Sequence, residues 1–175
     1  MKKERHTKRA KTMRKKNIVV AVSGGFDPVH VGHLRMFQEA KKLGDTLIVI
    51  LNNDHWLRNK KQVIFMPDHE RKELIEGFKE VDKVVLTGHR KNPGDMSVCN
   101  ELSKIRPHIF ANGGDRKPDG DPVPEVELCK KLDITMVYNV GWGGKIQSSS
   151  WLLADYIKKA TDKKPAVKQR TKNPQ

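Results

Sequence analysis

Two histidines, His30 and His33, end a glycine-containing segment that follows a short apolar stretch. Segment 23–33 reads Ser-Gly-Gly-Phe-Asp-Pro-Val-His-Val-Gly-His. Gly24 and Gly25 let a backbone approach a ligand closely. A helix that begins after them offers free N–H groups and the positive end of its dipole, which together bind anions. Because positions three apart share a helix face, both imidazoles can point at one phosphate. The segment therefore predicts a phosphate-binding loop.

Two other interpretations of the histidine pair stay open from the residues alone. The first is a metal site, which two histidines leave incomplete, with no third ligand obvious nearby. The second is structural: His30 and His33 would cap the helix or lie in the core.

Five short segments rich in Val and Ile predict the strands that must position this loop. Most of them are continuously apolar, as parallel strands covered on both faces are. The segments are Ile18–Val22, Thr46–Leu51, Val81–Leu86, His108–Ala111 and Ile134–Tyr138.

Helical patterns lie between these strands and after the last one. The inward positions are Val31, Leu34, Phe37 and Ala40; Leu74, Ile75 and Phe78 after Pro67-Asp68; Val98, Leu102 and Ile105; Val126 and Leu128 or Cys129 after Pro122 and Pro124; and Leu152, Leu153, Tyr156 and Ile157 after three serines. The alternation predicts an α/β domain with a doubly wound, five-stranded parallel sheet, Rossmann-like in its organisation. Ligands bind such sheets at the carboxyl ends of the strands, so the loops after strands one, four and five should form the site.

The charge pattern divides the chain of 175 residues, net charge +14, into a body and two tails. Residues 1–16 carry nine Lys or Arg and one Glu, and residues 161–175 carry five and one Asp. We expect disordered basic tails at 1–16 and 161–175 around a domain at 17–160, because the tails have too few apolar residues to order themselves. Either the tails bind a polyanion such as nucleic acid, or they only add solubility.

Composition excludes several other classes of protein. No stretch reaches the ~18 uninterrupted apolar residues of a membrane span. The first residues lead into no apolar core of a secretory signal. Cys99 and Cys129 are too few for a disulfide framework or a four-thiolate zinc site. We therefore expect a cytoplasmic protein with two reduced core thiols and no membrane contact.

Several motifs in order along residues 17–158 resemble the nucleotidyltransferase superfamily with the His-x-Gly-His signature. They are the signature itself at 25–33, Ala40–Asp45, Asn52–Asp54, Lys60-Lys61, Met66–Arg71, Val81–Val85, Gly113–Arg116 and Ser148–Ser150. The cytidylyltransferase-like branch is favoured, as in glycerol-3-phosphate cytidylyltransferase, with heptose-phosphate adenylyltransferase as the alternative. Transfer of NMP from CTP or ATP to a small phosphorylated acceptor, such as a sugar or polyol phosphate, is the reaction that the resemblance implies. Pyrophosphate would leave.

The resemblance also implies roles for individual residues, with Mg²⁺ accompanying the NTP and no dedicated metal ligands. The expected catalytic residues are His30, His33 and Lys61; the nucleotide-binding residues are Gly24, Gly25, Phe26, Asp115, Ser148, Ser149 and Ser150; and the substrate-binding residues are Asp27, Lys60 and Arg71. For Lys60, Lys61 and Arg71 the alternative is a solvated surface cation. Trp56 and Trp142, expected in loops, could stack on a base or only pack.

Two further possibilities concern the whole protein. Relatives of this kind often pair, so a homodimer is expected. The alternative to an enzyme is a nucleotide-binding module without turnover, or a polyanion-binding protein that acts through its tails.

Overall fold

The computed structural model describes residues 17–113, 124–141 and 147–162. Five strands and six helices alternate within these ranges. The strands are β1 (Val19–Gly24), β2 (Thr46–Leu51), β3 (Lys83–Leu86), β4 (Ile109–Gly113) and β5 (Thr135–Val140). The helices are α1 (Val31–Lys42), α2 (Asp54–Lys61), α3 (Asp68–Glu76), α4 (Cys99–Ile105), α5 (Pro124–Lys131) and α6 (Ser149–Asp162).

The strands form one parallel sheet in the order β3-β2-β1-β4-β5. The predicted doubly wound α/β fold is therefore confirmed. The chain builds outward from β1 to β3 and then crosses back to add β4 on the other side of β1. That reversal opens a crevice between the carboxyl ends of β1 and β4, where sheets of this kind bind ligands.

Alternate residues of the strands build a core on each face of the sheet. Phe37 of α1 and Ile75 of α3 pack with one set of strand residues. Leu102 of α4 and Cys129 of α5 pack with the other set. This burial on both faces explains why the strands read as continuous apolar runs. Both cysteines are free, as expected, but Cys99 is only half-buried.

The helix predictions were wrong in several places, one of them Val31 of α1, which was expected to face inward but is 50% exposed. Helix α2 was not predicted, because Leu57 is its only buried residue and no apolar periodicity marks it. Leu74 was expected to face inward, yet its side chain is 51% exposed, because Ile75 occupies the buried face of α3. Tyr156 and Ile157 of α6 are also largely exposed.

Both predicted tails lie largely outside the described residues, so their proposed disorder and polyanion binding stay predictions. At the second boundary, α6 continues to Asp162, two residues into the segment expected to be a tail. In the part of the chain that the structure covers, no helix has the length and apolar character needed to cross a membrane.

Candidate active site

A cavity of about 310 Å³ opens at the carboxyl end of the sheet, at the crevice beside β1 and β4. Its walls come from the loop after β1, the start of α1, helix α2, the ends of β4 and β5, and the start of α6. The predicted site residues that line it are Gly24, Gly25, Phe26, His30, His33, Lys60, Lys61, Ser148, Ser149 and Ser150. Tertiary structure thus brings together residues that lie far apart in the sequence.

His30 and His33 cap the first turn of α1 through one ring nitrogen each. His30 is the N-cap residue, and its Nδ1 accepts the Gly32 N–H at 3.1 Å. The His30 N–H donates in turn to His33 Nδ1 at 3.2 Å. Because both Nδ1 atoms are acceptors, this hydrogen-bond pattern assigns the proton of each neutral ring to Nε2. The structural interpretation is confirmed, and it leaves each Nε2–H available as a donor.

The surroundings of the two rings favour their neutral forms. The rings stack at a centroid distance of 3.7 Å, and the edge of Phe26 meets His33 at 4.8 Å. Burial, with further contributions from His30 and Lys61, lowers the pKa of His33 to about 3. Burial and the Lys61 charge also lower the pKa of His30. Both side chains are therefore uncharged hydrogen-bond donors at neutral pH.

Lys61 supplies positive charge to the cavity from the last turn of α2. Its ammonium donates to the main-chain oxygen of Asp27 at 3.0 Å. Burial lowers the pKa of Lys61; the Asp27 carboxylate opposes this change and Arg71 adds to it. Lys60 and Trp56 line the same cavity from α2, so the expectation that Trp56 lies in a loop was wrong.

Asp27 is fully buried beneath the cavity and holds the segment that follows α2. Its two carboxylate oxygens accept the N–H groups of Phe65, at 3.0 Å, and Met66, at 2.7 Å. The carboxylate therefore anchors backbone, while the main-chain oxygen of the same residue holds Lys61. Whether Asp27 also contacts substrate stays a prediction.

Arg71 is neither a surface cation nor a residue of the cavity wall, since its side chain is 0% exposed. Its guanidinium donates to the carbonyl oxygens of Met66 (2.8 Å), Gly25 (2.6 Å) and Asn52 (2.8 Å). It also pairs with the Asp54 carboxylate at 2.7 Å. The alternative of a solvated arginine is wrong, and the geometry makes Arg71 a positioning residue for the loop after β1.

That loop is tightly packed, which explains its glycines. A Cβ on Gly24 would lie 2.8 Å from the Phe26 ring, and one on Gly25 would lie 2.8 Å from Leu57. Phe26 itself is buried and has a φ of 49°, in the left-handed region that non-glycine residues seldom adopt. The loop is thus held in one conformation beside the histidines.

The serines at the start of α6 close the cavity opposite the histidines. Ser149 is buried and donates its hydroxyl to the Pro28 carbonyl at 2.9 Å, which ties α6 to the loop after β1. With its proton so engaged, Ser149 offers a ligand its oxygen and the free N–H groups of the helix start rather than an O–H donor. Predicted residues Asp115 and Trp142 lie outside the described part of the chain.

Sequence reasoning missed several members of the cavity wall, among them Met36 and Gln147. Met36 lies three residues after His33 on α1, a spacing that could have indicated it. Gln147 also lines the cavity. No local pattern marks its side chain.

Comparisons with known proteins identify the family of this chain. Residues 21–133 match the cytidylyltransferase-like family model. The chain is 36% identical over 113 residues to the FAD synthase of Ferroglobus placidus, covering 64% of this chain and 68% of that one. It is 33% identical over 138 residues to the FAD synthase of Thermoplasma volcanium, covering 76% and 89%.

A solved structure has a similar fold. The lipopolysaccharide core biosynthesis protein of Thermoplasma volcanium superposes with a TM-score of 0.59 and 29% identity, over 73% of this chain and all of that one. The family match spans β1 to the end of α5, and the signature histidines lie at the switch point of the sheet. The chain therefore belongs to the cytidylyltransferase-like family and is a nucleotidyltransferase.

Proposed function

We propose that this enzyme transfers AMP from ATP to FMN and so makes FAD. One observation of the site carries the transferase chemistry: two neutral Nε2–H donors and the Lys61 ammonium converge on one cavity at the switch point. The choice of flavin rests on the similarity to FAD synthases. It replaces the sugar or polyol phosphate that the sequence suggested.

The chemistry needs positioning and charge neutralisation more than covalent help. An oxygen of the FMN phosphate attacks the α-phosphorus of ATP, the bond from that phosphorus to the bridging oxygen breaks, and pyrophosphate leaves with the electron pair. His30 and His33 donate Nε2–H to the phosphate oxygens, and Lys61 offsets the negative charge that develops in the transition state.

The starts of α1 and α6 contribute to binding the triphosphate. Both helices begin at the cavity, so their dipoles favour an anion there. The start of α6 adds free N–H groups, whereas the Gly32 N–H of α1 already bonds His30. Gly24 and Gly25 allow the backbone to approach the nucleotide, and Arg71 and Asp27 hold this backbone and Lys61 in place.

Mg²⁺ fits this site as a partner of the substrate. The described residues gather no group of three His, Cys, Asp or Glu side chains. A Mg²⁺ ion would therefore take its ligands mainly from phosphates and water, as it commonly does. It would neutralise phosphate charge.

The test is product formation by the full-length protein with ATP, FMN and Mg²⁺. FAD and pyrophosphate should appear together and in equal amounts by chromatography and a coupled pyrophosphate assay. CTP with FMN, and ATP or CTP with glycerol 3-phosphate, are the matched reactions and should give little product. Conversion of glycerol 3-phosphate but not FMN would refute the flavin assignment and restore the sequence-based one.

A further inference from the structure

A second cavity, of about 390 Å³, lies beside the loop that connects β3 to α4. This loop, residues 87–98, contributes no residue to the wall of the first cavity. Its lining includes Arg90, Lys91, Asn100 and Glu101. Like the first cavity, it lies at the carboxyl end of the sheet, because the loop leaves β3 there.

Partly buried hydrogen bonds hold the loop in place from several sides. His89 bonds Thr87 through Nδ1 (2.8 Å) and the Ser97 carbonyl through Nε2 (3.1 Å). The Asn53 amide donates to the His89 carbonyl at 2.8 Å. The cavity is therefore a built feature of a constrained loop rather than a gap beside a loose one.

Glu101 places a buried carboxylate against this cavity. The residue is 5% exposed, and its Oε1 accepts the Gly88 N–H at 3.1 Å. None of the described residues donates to Oε2. Oε2 is not fully enclosed, since Asn52 Oδ1 is the one fully enclosed side-chain nitrogen or oxygen without a partner in the described ranges. Since Glu101 lines the cavity, Oε2 is available there to a ligand N–H in place of water.

The cavity also holds hydrogen-bond donors, together with a second carboxylate, that of Asp95, whose Oδ1 accepts the Ser97 N–H at 2.8 Å. Arg90 and Lys91 are exposed, and neither forms an ion pair with a described residue. The Asn100 side-chain amide lies at the same cavity. An acceptor flanked by donors complements a carbonyl–N–H–carbonyl edge, which is the imide of a pyrimidine ring.

Trp56 connects the first cavity to the loop that lines the second. Trp56 lines the first cavity, and its indole N–H donates to the Met96 carbonyl of the loop at 2.8 Å. β3 is two strands from β1, which separates the two strand ends by about 10 Å. An extended ribityl phosphate chain has a comparable length.

We propose that the second cavity binds the pyrimidine edge of the FMN ring, with Glu101 Oε2 accepting the ring N3–H while the FMN phosphate lies at the histidines. This assignment rests on the proposed function and adds to it the residue that selects the flavin. The two ring carbonyls face the donors of Arg90, Lys91 and Asn100.

The test compares FMN with N3-methyl-FMN, which lacks the N3–H, in FAD formation and in binding followed by flavin fluorescence. Wild-type enzyme should prefer FMN by roughly 10- to 100-fold in KM and Kd, the loss expected for a hydrogen bond to a charged group. Glu101→Gln turns an amide N–H toward the ring N3–H, so it should raise the KM for FMN and abolish the preference. The KM for ATP should not change.

Glu125→Gln is the matched control. Glu125 is also buried, and its Oε1 accepts the Val98 N–H at 3.1 Å at the other end of the loop, but it does not line the cavity. This variant should keep the wild-type preference for FMN. If it loses that preference to the same extent as Glu101→Gln, the effect is structural and the assignment fails.

The remaining outcomes separate this inference from the proposed function. Wild-type enzyme that makes FAD equally well from both flavins would overturn the role of Glu101 and leave the FAD synthase proposal standing. Enzyme that neither binds nor adenylylates FMN would overturn both. UMP has the same imide edge, so competition as strong as that of FMN would overturn the assignment to a flavin. The comparison of flavins on wild-type enzyme decides the matter even if Glu101→Gln does not fold.

Discussion

His33→Asn separates the two functions of His33. The Nδ1 atom caps α1 by accepting the His30 N–H at 3.2 Å, and Nε2–H is the proposed donor to phosphate. The side-chain oxygen of asparagine can take the place of Nδ1, but no atom of asparagine reaches the position of Nε2. The variant should therefore keep the cap and lose the catalytic donor.

The expected magnitudes follow from these contacts. Loss of one preorganised donor to the transition state lowers kcat by roughly 10²–10³, about 2.7–4 kcal/mol. The ring contacts of His33 with His30 and Phe26 are lost in any substitution, at about 0.5–1.5 kcal/mol each. His33→Ala also loses the cap, so it should be about 1 kcal/mol less stable than His33→Asn.

The assays are steady-state pyrophosphate release and urea unfolding on the same preparations. His33→Gln is the converse control, because its amide N–H can reach the position of Nε2 while the cap is lost, and it should keep more turnover than His33→Asn. A folded His33→Asn enzyme with near wild-type kcat would remove His33 from catalysis. Equal stabilities of His33→Asn and His33→Ala would refute the capping role.

Three further predictions concern charge and burial. Lys61→Met removes a cation from the cavity and should lower kcat/KM roughly 100-fold in the pyrophosphate assay. Lys79→Met is the control at an exposed site and should leave kcat/KM unchanged. Equal effects of the two substitutions would contradict the role of Lys61. Because the pKa of His33, about 3, lies below its unfolded value of 6.5, the unfolded chain binds the proton first as pH falls. Wild-type stability should thus decrease from pH 6.5 toward 3, and His33→Asn should lose less in urea titrations over that window; identical pH slopes would argue against a buried neutral ring. Arg71→Met should cost about 3–5 kcal/mol of unfolding free energy, because it leaves Asp54 and three carbonyls without their donor, and a loss below about 1 kcal/mol would show that water replaces the guanidinium.

Elements with a strong apolar signal were predictable. The strands matched within one or two residues at most ends, because burial on both faces demands continuous Val and Ile. Helix α2 was not predicted, since it buries only Leu57 and is placed instead by the Asn53 cap, whose side chain accepts the Trp56 N–H. A helix held by its cap and by a few polar contacts leaves no periodic pattern to detect.

The residues of the candidate site also differ in how far the sequence predicted their roles. Local spacing predicted that His30 and His33 act together, because a helix start fixes residues three apart. The alternatives of capping and ligand binding could not be separated, since they use different nitrogens of the same ring. Arg71 was expected near substrate or at the surface, and nothing local indicates that its guanidinium joins three carbonyls and a carboxylate.

The sequence by itself determined the parallel α/β class, the switch-point loop and the pairing of its two histidines, because these depend on residue type and short-range spacing. Tertiary structure decided which groups remain available for a ligand. Burial and long-range pairing commit the Asp27 carboxylate and Arg71 to the backbone, turn Lys61 into the cavity, and leave Glu101 Oε2 without a described donor. Whether a polar group is free to bind a ligand depends on which groups folding places beside it. Those groups can lie far away in the chain: Ser149 and Pro28, which share a hydrogen bond, are 121 residues apart.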